Sequence, residues 1–249
     1  MSRMTLSCLM VAVLLLPATV RADDDADLMK ACPGLAGWAA MHPHVDEANA
    51  REDAGRRVTD PALRRELAAR GDADQRARDT ALAAGMRDQM ANKAMLAVDA
   101  DNLAWLKAVV ARQGFPTPDT VGAQGVANAW LLVQHADRDP VFQAAVLKTL
   151  ESRLAGSGVR KADVAMLTDR VLLAQGKPQR YGSQFKPSQD GSPVSEPTED
   201  MAHVDQRRAS MDLMPLADYQ CMLQFSYAPA QATDARAPQA RDAGADRQR

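Results

Sequence analysis

Apolar residues recur at helical spacing through the middle of the chain, and no run alternates in the two-residue rhythm of a strand. "TDPALRREL" opens the first helical stretch. Asp60 stands where a cap is needed, Pro61 fits the first helical position, and Leu63 and Leu67 lie four apart on one face. An Ala- and Arg-rich pattern carries on past Gly71 toward Met95. "DADNLAWLKAVVARQGFP" predicts another helix, capped by Asp99 or Asp101, striped by Leu103, Leu106 and Val110, and stopped by Gly114 and Pro116. "DTVGAQGVANAWLLVQHA" follows, turning Val126, Trp130 and Leu132 or Val133 inward. "DPVFQAAVLKTLESRLAG" carries the fullest set of signals: Asp139 as cap, Pro140 in the first turn, Phe142, Val146, Leu150 and Leu154 on one face, Gly156 to close. "KADVAMLTDRVLLAQG" comes next, with Val164, Leu167 and Val171 facing in and Gly176 at its end.

The texture then changes. "KPQRYGSQFKPSQDGSPVSEPTED" is rich in Pro, Gly, Ser and Gln, and reads as a long ordered loop with room for a short hairpin. Loops of that length inside a compact domain are often functional. Two helices follow, around "EDMAHVDQRRASM" and "PLADYQCMLQF". The expected fold class is all-α or nearly so: a helical bundle or array with one long ordered Pro/Gly/Ser-rich loop.

The chain's two ends differ from this middle. "MSRMTLSCLMVAVLLLPATVRA" has Arg3 near its start, an apolar run from Leu6 to Leu16, and small residues Val20 and Ala22. That is the layout of a secretory signal peptide over residues 1–22, cleaved after Ala22, and the run is short for a membrane span. The residues just after the cleavage point are expected to be loose. From Ala228 to Arg249 the chain carries no aliphatic side chain larger than Ala, so residues 228–249 are expected to be a disordered tail. Residues 23–227 remain as one helical domain. The expected location is outside the cytoplasm, periplasmic rather than fully secreted.

Export changes the meaning of the cysteines. Without Cys8 of the leader, Cys32 and Cys221 remain near opposite ends of the domain, and an oxidising compartment favours a disulfide between them. Charge excludes more than it suggests. Removing Arg3 and Arg21 from the 30 basic residues leaves 28 against 32 acidic ones, a net charge near −4. No basic patch points to nucleic acid, and no later stretch is apolar and long enough to span a bilayer.

The candidate chemistry begins at "LLVQHADRDP", where an apolar helix delivers Gln134 and His135 into polar sequence. His135 falls at a helix C-terminus, whose negative dipole end raises imidazole basicity, with Asp137 in reach to orient the ring. Such a His serves as a general acid or base. The alternative is a His that caps the last carbonyls and bonds a neighbouring carboxylate. "DQRAR" places Asp74 and Arg78 four apart, a pairing common on solvated faces, with Gln75 beside them. Asp169 and Arg170 are adjacent and point in different directions, toward a polar cluster or toward an interhelical tie. In "QRYGSQF", Gly182 permits a turn, Tyr181 can stack and donate, and Gln179 and Gln184 donate and accept. The loop's amides could equally satisfy its own backbone. Arg78, Arg170, Arg180 and Arg207 supply guanidinium forks suited to carboxylate or phosphate. "MHPHVDE" offers His42, His44, Asp46 and Glu47, read as an exposed loop rather than a metal site. No nucleotide-binding, zinc-protease or activated-nucleophile motif is present, and no cofactor or metal is expected.

Taken together, these segments resemble an uncharacterised bacterial family, domain of unknown function 6624. The resemblance rests on "DQRAR", "DADN" with Asp99 and Asn102, "GFP" followed by Val121-Gly122, "QHAD", "DR" at Asp169-Arg170, "QRYGSQ", and "VDQRRASMDLMPLADY" with Arg207, Arg208 and Tyr219. It covers about Ala68 to Tyr219, and implies a polar site shared across helices without importing an activity. Two readings follow. In one, Asp74, Gln75, Arg78, Asn102, Gln134, Asp169, Arg170, Tyr181, Gln184 and Arg207 line a pocket for a small polar, anionic ligand, with His135 moving protons and Asp137 orienting it. In the other, the same motifs tie helices together in an envelope interaction or structural protein.

Overall fold

A computed structural model describes residues 22–42, 44–84, 86–154, 159–188 and 192–226. The predicted leader up to residue 21, the predicted tail from 228 and the helix stop at Gly156 lie outside the described residues. The described chain is mostly helical. Three shorter helices come first: α1 (Ala22–Ala31), α2 (Gly34–Met41) and α3 (Val45–Asp53). The long ones follow: α4 (Pro61–Ala83), α5 (Gln89–Gln113), α6 (Pro118–Gln134), α7 (Pro140–Glu151) and α8 (Lys161–Ala174). The long loop then carries a small antiparallel hairpin, β1 (Phe185–Pro187) with β2 (Pro193–Ser195), Phe185 opposite Ser195. A 3-10 turn (Met201–His203), α9 (Val204–Ser210) and α10 (Leu216–Ser226) close the fold.

Several helix starts follow from local chemistry. Asp60 accepts from Leu63 N–H at 2.9 Å, and Asp139 accepts from Phe142 N–H at 2.9 Å, each just before a proline at the helix start. The expected cap at Asp99 or Asp101 is corrected. The chain leaves α4 at Ala84, Met86 takes φ of 57°, and Asp88 caps α5 through Met90 and Ala91 N–H. Asp99 and Asp101 therefore lie inside α5. The pattern from Leu63 toward Met95 belongs to two antiparallel helices joined by a tight turn. A second correction concerns the residues after the predicted cleavage point, which form α1 instead of a loose lead.

Helix α6 is the axis of the main core. Its residues from Val126 to Val133 are buried apart from Asn128, and α3, α4, α5, α7 and α8 all pack on it. Leu67, Leu106, Leu132, Leu150 and Leu167, each fully buried and drawn from five helices, meet there. The helix is broken near its start by Gly122, at φ 79° and ψ 169°. Asp53 at the end of α3 uses the break: its carboxylate accepts from Ala123 N–H at 2.7 Å and from Gln124 N–H at 3.3 Å, while Arg64 donates to it at 2.9 Å. A Cβ on Gly122 would stand 2.6 Å from that carboxylate, so both the backbone angle and the space require glycine.

Two smaller apolar clusters complete the fold. Phe185, Val204, Leu216, Tyr219 and Leu223 pack the hairpin against α9 and α10. Leu28, Cys32 and Leu35 join α1 and α2 to α10, where Cys32 and Cys221 form the expected disulfide with their Cα atoms 5.8 Å apart. The bridge spans a sequence separation of 189. Closing a loop of that length stabilises the fold by about 5 kcal/mol in the chain-entropy model, less any strain. A Cys32→Ser/Cys221→Ser variant is expected to unfold at lower urea concentration, with roughly 2–5 kcal/mol lost. Equal urea midpoints for that variant and the oxidised parent would remove the bridge from the stability account.

Candidate functional site

The polar residues of interest gather where α6 ends. Gln134 is the last residue of α6 and His135 its C-terminal cap, and both are buried. A buried helix end leaves carbonyls that must be satisfied from within. Gln143, one turn into α7, does this: its amide donates to Val133 O at 3.0 Å and Gln134 O at 3.4 Å, and to Asp137 Oδ1 at 3.3 Å. Nothing in the sequence marked Gln143, because its role depends on α7 folding back beneath α6.

The His135 ring is held from α4. Its Nδ1 lies 2.8 and 2.9 Å from the two carboxylate oxygens of Asp74, itself 1% exposed. Arg78, one turn along α4, donates from Nε to Asp74 Oδ2 at 3.3 Å and from Nη2 to Asp99 Oδ1 at 2.6 Å. Its Nε also sits 2.9 Å from His135 Nδ1. A carboxylate so close to Nδ1 assigns the ring proton there, since Nδ1–H then donates to Asp74 and Arg78 bonds Asp74 rather than the ring. His135 Nε2 is left with a lone pair, and it has no hydrogen-bond partner among the described residues.

The carboxylate that orients His135 is therefore Asp74. Asp137 is more exposed and turns toward α8, where it accepts from Arg170 Nη1 at 2.6 Å. Arg170 is 1% exposed, yet its Nε and Nη2 have no partner among the described residues. Gln75 donates to Asp74 Oδ2 at 3.0 Å; its Oε1 and both amide atoms of Gln134 have no partner among the described residues. Asp74, Gln75, Arg78, Asp99, Gln134, His135, Asp137 and Arg170 thus gather at the α6 end.

Other expected site residues go elsewhere. Asp169 faces the long loop, where its carboxylate accepts from the N–H groups of Arg180, Tyr181 and Ser183 and from the Ser183 hydroxyl at 2.6–2.9 Å. The Gln179 side chain donates to Gln184 O and accepts from Gln184 N–H, and the Gln184 side chain donates to Met166 O and to the Ser183 hydroxyl. Arg207 donates to the carbonyls of Arg180 and Glu199. Buried Arg208, whose role the sequence did not reveal, donates to Tyr181 O at 2.7 Å and to Met214 O at 2.6 Å, and stacks over Tyr219. Tyr181 contributes its backbone, and its phenol is half-buried. Asn102 lies three residues beyond Asp99 on α5 and accepts from Arg70 at 3.0 Å. Apart from Asn102, the expected site residues thus divide between a cluster at the α6 end and a latch on the loop, meeting at the neighbours Asp169 and Arg170.

Among the described residues, Asp74, Asp99 and His135 bring potential metal-ligand atoms within 4.8 Å of one another. The Arg78 guanidinium bonds both carboxylates beside the ring and already supplies the cation such a cluster wants. The His42–Glu47 segment does not assemble: His42 stacks on Trp38 and Glu47 pairs with Arg51.

Electrostatics reverse one expectation. Burial, with Arg78 and Arg170 adding, pulls His135 down to about 4, and Asp74 offsets only part of this. The helix dipole does not make this imidazole more basic. Burial pushes Asp99 up to about 6, against the pull of Arg78 and with help from Asp74 and Asp137. Burial also works against the charge on Asp74, but His135, Arg78 and Gln75 outweigh it and hold that carboxyl below its usual range. Near neutrality the site holds an ionised Asp74 and a neutral His135, with Asp99 nearest to its titration point.

A family model described as "Family of unknown function (DUF6624)" matches residues 61–230. No curated protein and no solved structure matches the chain.

The shifts of His135 and Asp99 act on stability with opposite signs. Between 6.5 and about 4 the unfolded chain protonates His135 while the folded chain does not, so stability falls as pH falls. Between about 6 and 3.8 the folded chain keeps the Asp99 proton that the unfolded chain has lost, so stability rises as pH falls. Each slope approaches about 1.4 kcal/mol per pH unit, and together they nearly cancel. Asp99→Asn is therefore expected to lose about 2–3 kcal/mol more than the parent between pH 6 and 4, and His135→Gln to shift the opposite way. Urea midpoints at pH 4, 5, 6 and 7 test this; parallel pH profiles for the three proteins would reject the assignment.

Proposed function

The chain belongs to the family of unknown function (DUF6624), and we propose that it is an exported protein that binds a small polar ligand at the α6 end. One observation carries this reading. Gln75, Gln134, His135 and Arg170 present six buried polar atoms without a partner among the described residues. Leaving a buried polar atom unpaired costs about 1–3 kcal/mol, and more for a charged group. Such a cost is borne at sites where a ligand supplies the missing partners. Asp74 fixes the ring, so His135 Nε2 is the atom that would exchange a proton with the ligand. Export rests on the leader-like segment at residues 1–22 and on the Cys32–Cys221 bridge, which an oxidising compartment preserves. No helix among the described residues is long and apolar enough to cross a membrane.

A structural role, in which the polar motifs tie the fold and leave a surface for an envelope protein, has its own support. Asp169, Gln184, Arg207 and Arg208 are engaged in holding the loop to α8 and α9. That reading suits the latch. It does not account for the unmatched atoms beside His135.

Gln134→Leu separates the two. The substitution removes both unmatched amide atoms at similar volume. Under the ligand reading it leaves the free protein as stable as the parent, or up to about 2 kcal/mol more stable. It also abolishes the thermal shift given by whichever phosphorylated, carboxylated or cell-wall-derived small molecule stabilises the parent. At 100 times its dissociation constant that molecule adds about 2.7 kcal/mol. A Gln134→Leu variant destabilised by more than about 1 kcal/mol, with no molecule shifting the parent, would favour the structural role.

A further inference from the structure

Arg170 defines the chemistry of the ligand more closely. Its Nη1 is committed to Asp137, and its Nε and Nη2 are the unmatched pair. Those two N–H groups lie along one edge of the planar guanidinium and point in parallel. Two oxygens of one carboxylate or one phosphate fit that edge, whereas a water, hydroxyl or amide offers a single oxygen to two donors. The guanidinium is buried, and Asp169, the residue before it, is pinned by three loop N–H groups, so this end of α8 is held in place. The His135 ring lies close enough to feel the Arg170 charge, and its Nε2 is an acceptor with unmet capacity. Gln134, the neighbour of His135 in the chain, and Gln75, bonded to the same Asp74, each carry an Oε1 without a partner among the described residues. Acceptors of that kind call for O–H or N–H groups on the ligand.

We infer that the site takes a small hydroxylated oxyanion, its carboxylate or phosphate held by the Nε–Nη2 edge of Arg170 and a neighbouring hydroxyl donating to His135 Nε2. This rests on the ligand-binding reading and specifies the ligand's chemical class. The charges around the site are compatible with an anion. Arg78 on α4 and Arg170 on α8 balance Asp74 on α4 and Asp137 after α6, and His135 is neutral. Asp99 on α5 is the remaining carboxyl; protonated below about 6, it leaves the cluster neutral, and ionised it leaves one negative charge. The anion therefore binds more tightly on the acid side.

Glycerate, glycerol 3-phosphate, inorganic phosphate and glycerol are suitable probes, titrated into the whole mature chain. Arg170 Nε–H and the His135 ring nitrogens are followed by nitrogen-resolved NMR, and affinity by calorimetry. Glycerate or glycerol 3-phosphate is expected to shift both residues and to outbind inorganic phosphate and glycerol; glycerate, whose own charge is constant over this range, is expected to bind several-fold more tightly at pH 5 than at pH 7. The tighter of the two identifies carboxylate or phosphate as the preferred group. Arg170→Lys keeps the charge but loses the fork, and is expected to bind at least tenfold more weakly; its circular dichroism should match the parent, because Asp137 is exposed enough to be solvated alone. Glycerol binding as well as glycerate, with His135 shifting, would overturn the oxyanion and leave the pocket standing. Anion binding undiminished in Arg170→Lys would likewise overturn it. Silence of both resonances with every probe overturns the oxyanion; coupled with a destabilised Gln134→Leu, it removes the pocket as well.

Discussion

Helix α6 is buried along most of its length, so the polar groups at its C-terminal end must be satisfied inside the protein. The arrangement around His135 follows from that constraint. The imidazole is kept by the Asp74 carboxylate, which is itself too deeply buried to stay ionised alone. Arg78 supplies the compensating charge, and its far nitrogen in turn needs Asp99. Each member's burial is tolerable because of the next, and the series reaches water only at the partly exposed edge of Arg78 and Asp99. Networks of this kind are rigid when complete and costly when broken, so they hold a functional group in one orientation.

The polar sequence motifs do two different jobs on either side of one peptide bond. Asp169 turns toward the loop and binds its backbone; Arg170 turns toward Asp137 and the His135 cluster. On the loop side, hydrogen bonds run mainly between side chain and backbone, and among the described loop residues Gln184 Oε1 is the buried side-chain atom left unmatched. On the His135 side, several remain unmatched. A loop of this length therefore belongs to the site indirectly: it fixes the helix that carries the guanidinium, and its own side chains bond mainly to itself.

Helix positions set by local chemistry were legible in the sequence. Asp60-Pro61 and Asp139-Pro140 mark helix starts because cap and proline act within a few residues. The start of α5 differs from the expected one because Asp99 and Asp101 resemble caps as well as Asp88 does, and Gly85 before Met86 has no proline beside it to mark it as a stop among the other helix residues. Part of the His135 cluster is legible as polar motifs, but its wiring is not, and several expected neighbours belong to the loop instead. Asp137 stood nearest in sequence, but a residue two beyond a helix cap leaves the helix axis, and its side chain turned to α8. Asp74 and Arg78 are expected site residues, but their bond to His135 is not legible, since spacing along one helix does not say which face another helix will cover. Gln143 and Arg208 bond to backbone carbonyls brought near by folding, which no spacing rule anticipates.

The bond between Cys32 and Cys221 joins the turn between α1 and α2 to α10. Mechanically, it acts as a shunt. A load applied to the polypeptide before Cys32 and after Cys221 passes through the sulfur–sulfur bond, and the chain enclosed between them is neither stretched nor peeled open. While the bond is oxidised, α3 to α9 and the His135 cluster are shielded from tension on the ends, and reduction would place all of them in the line of force.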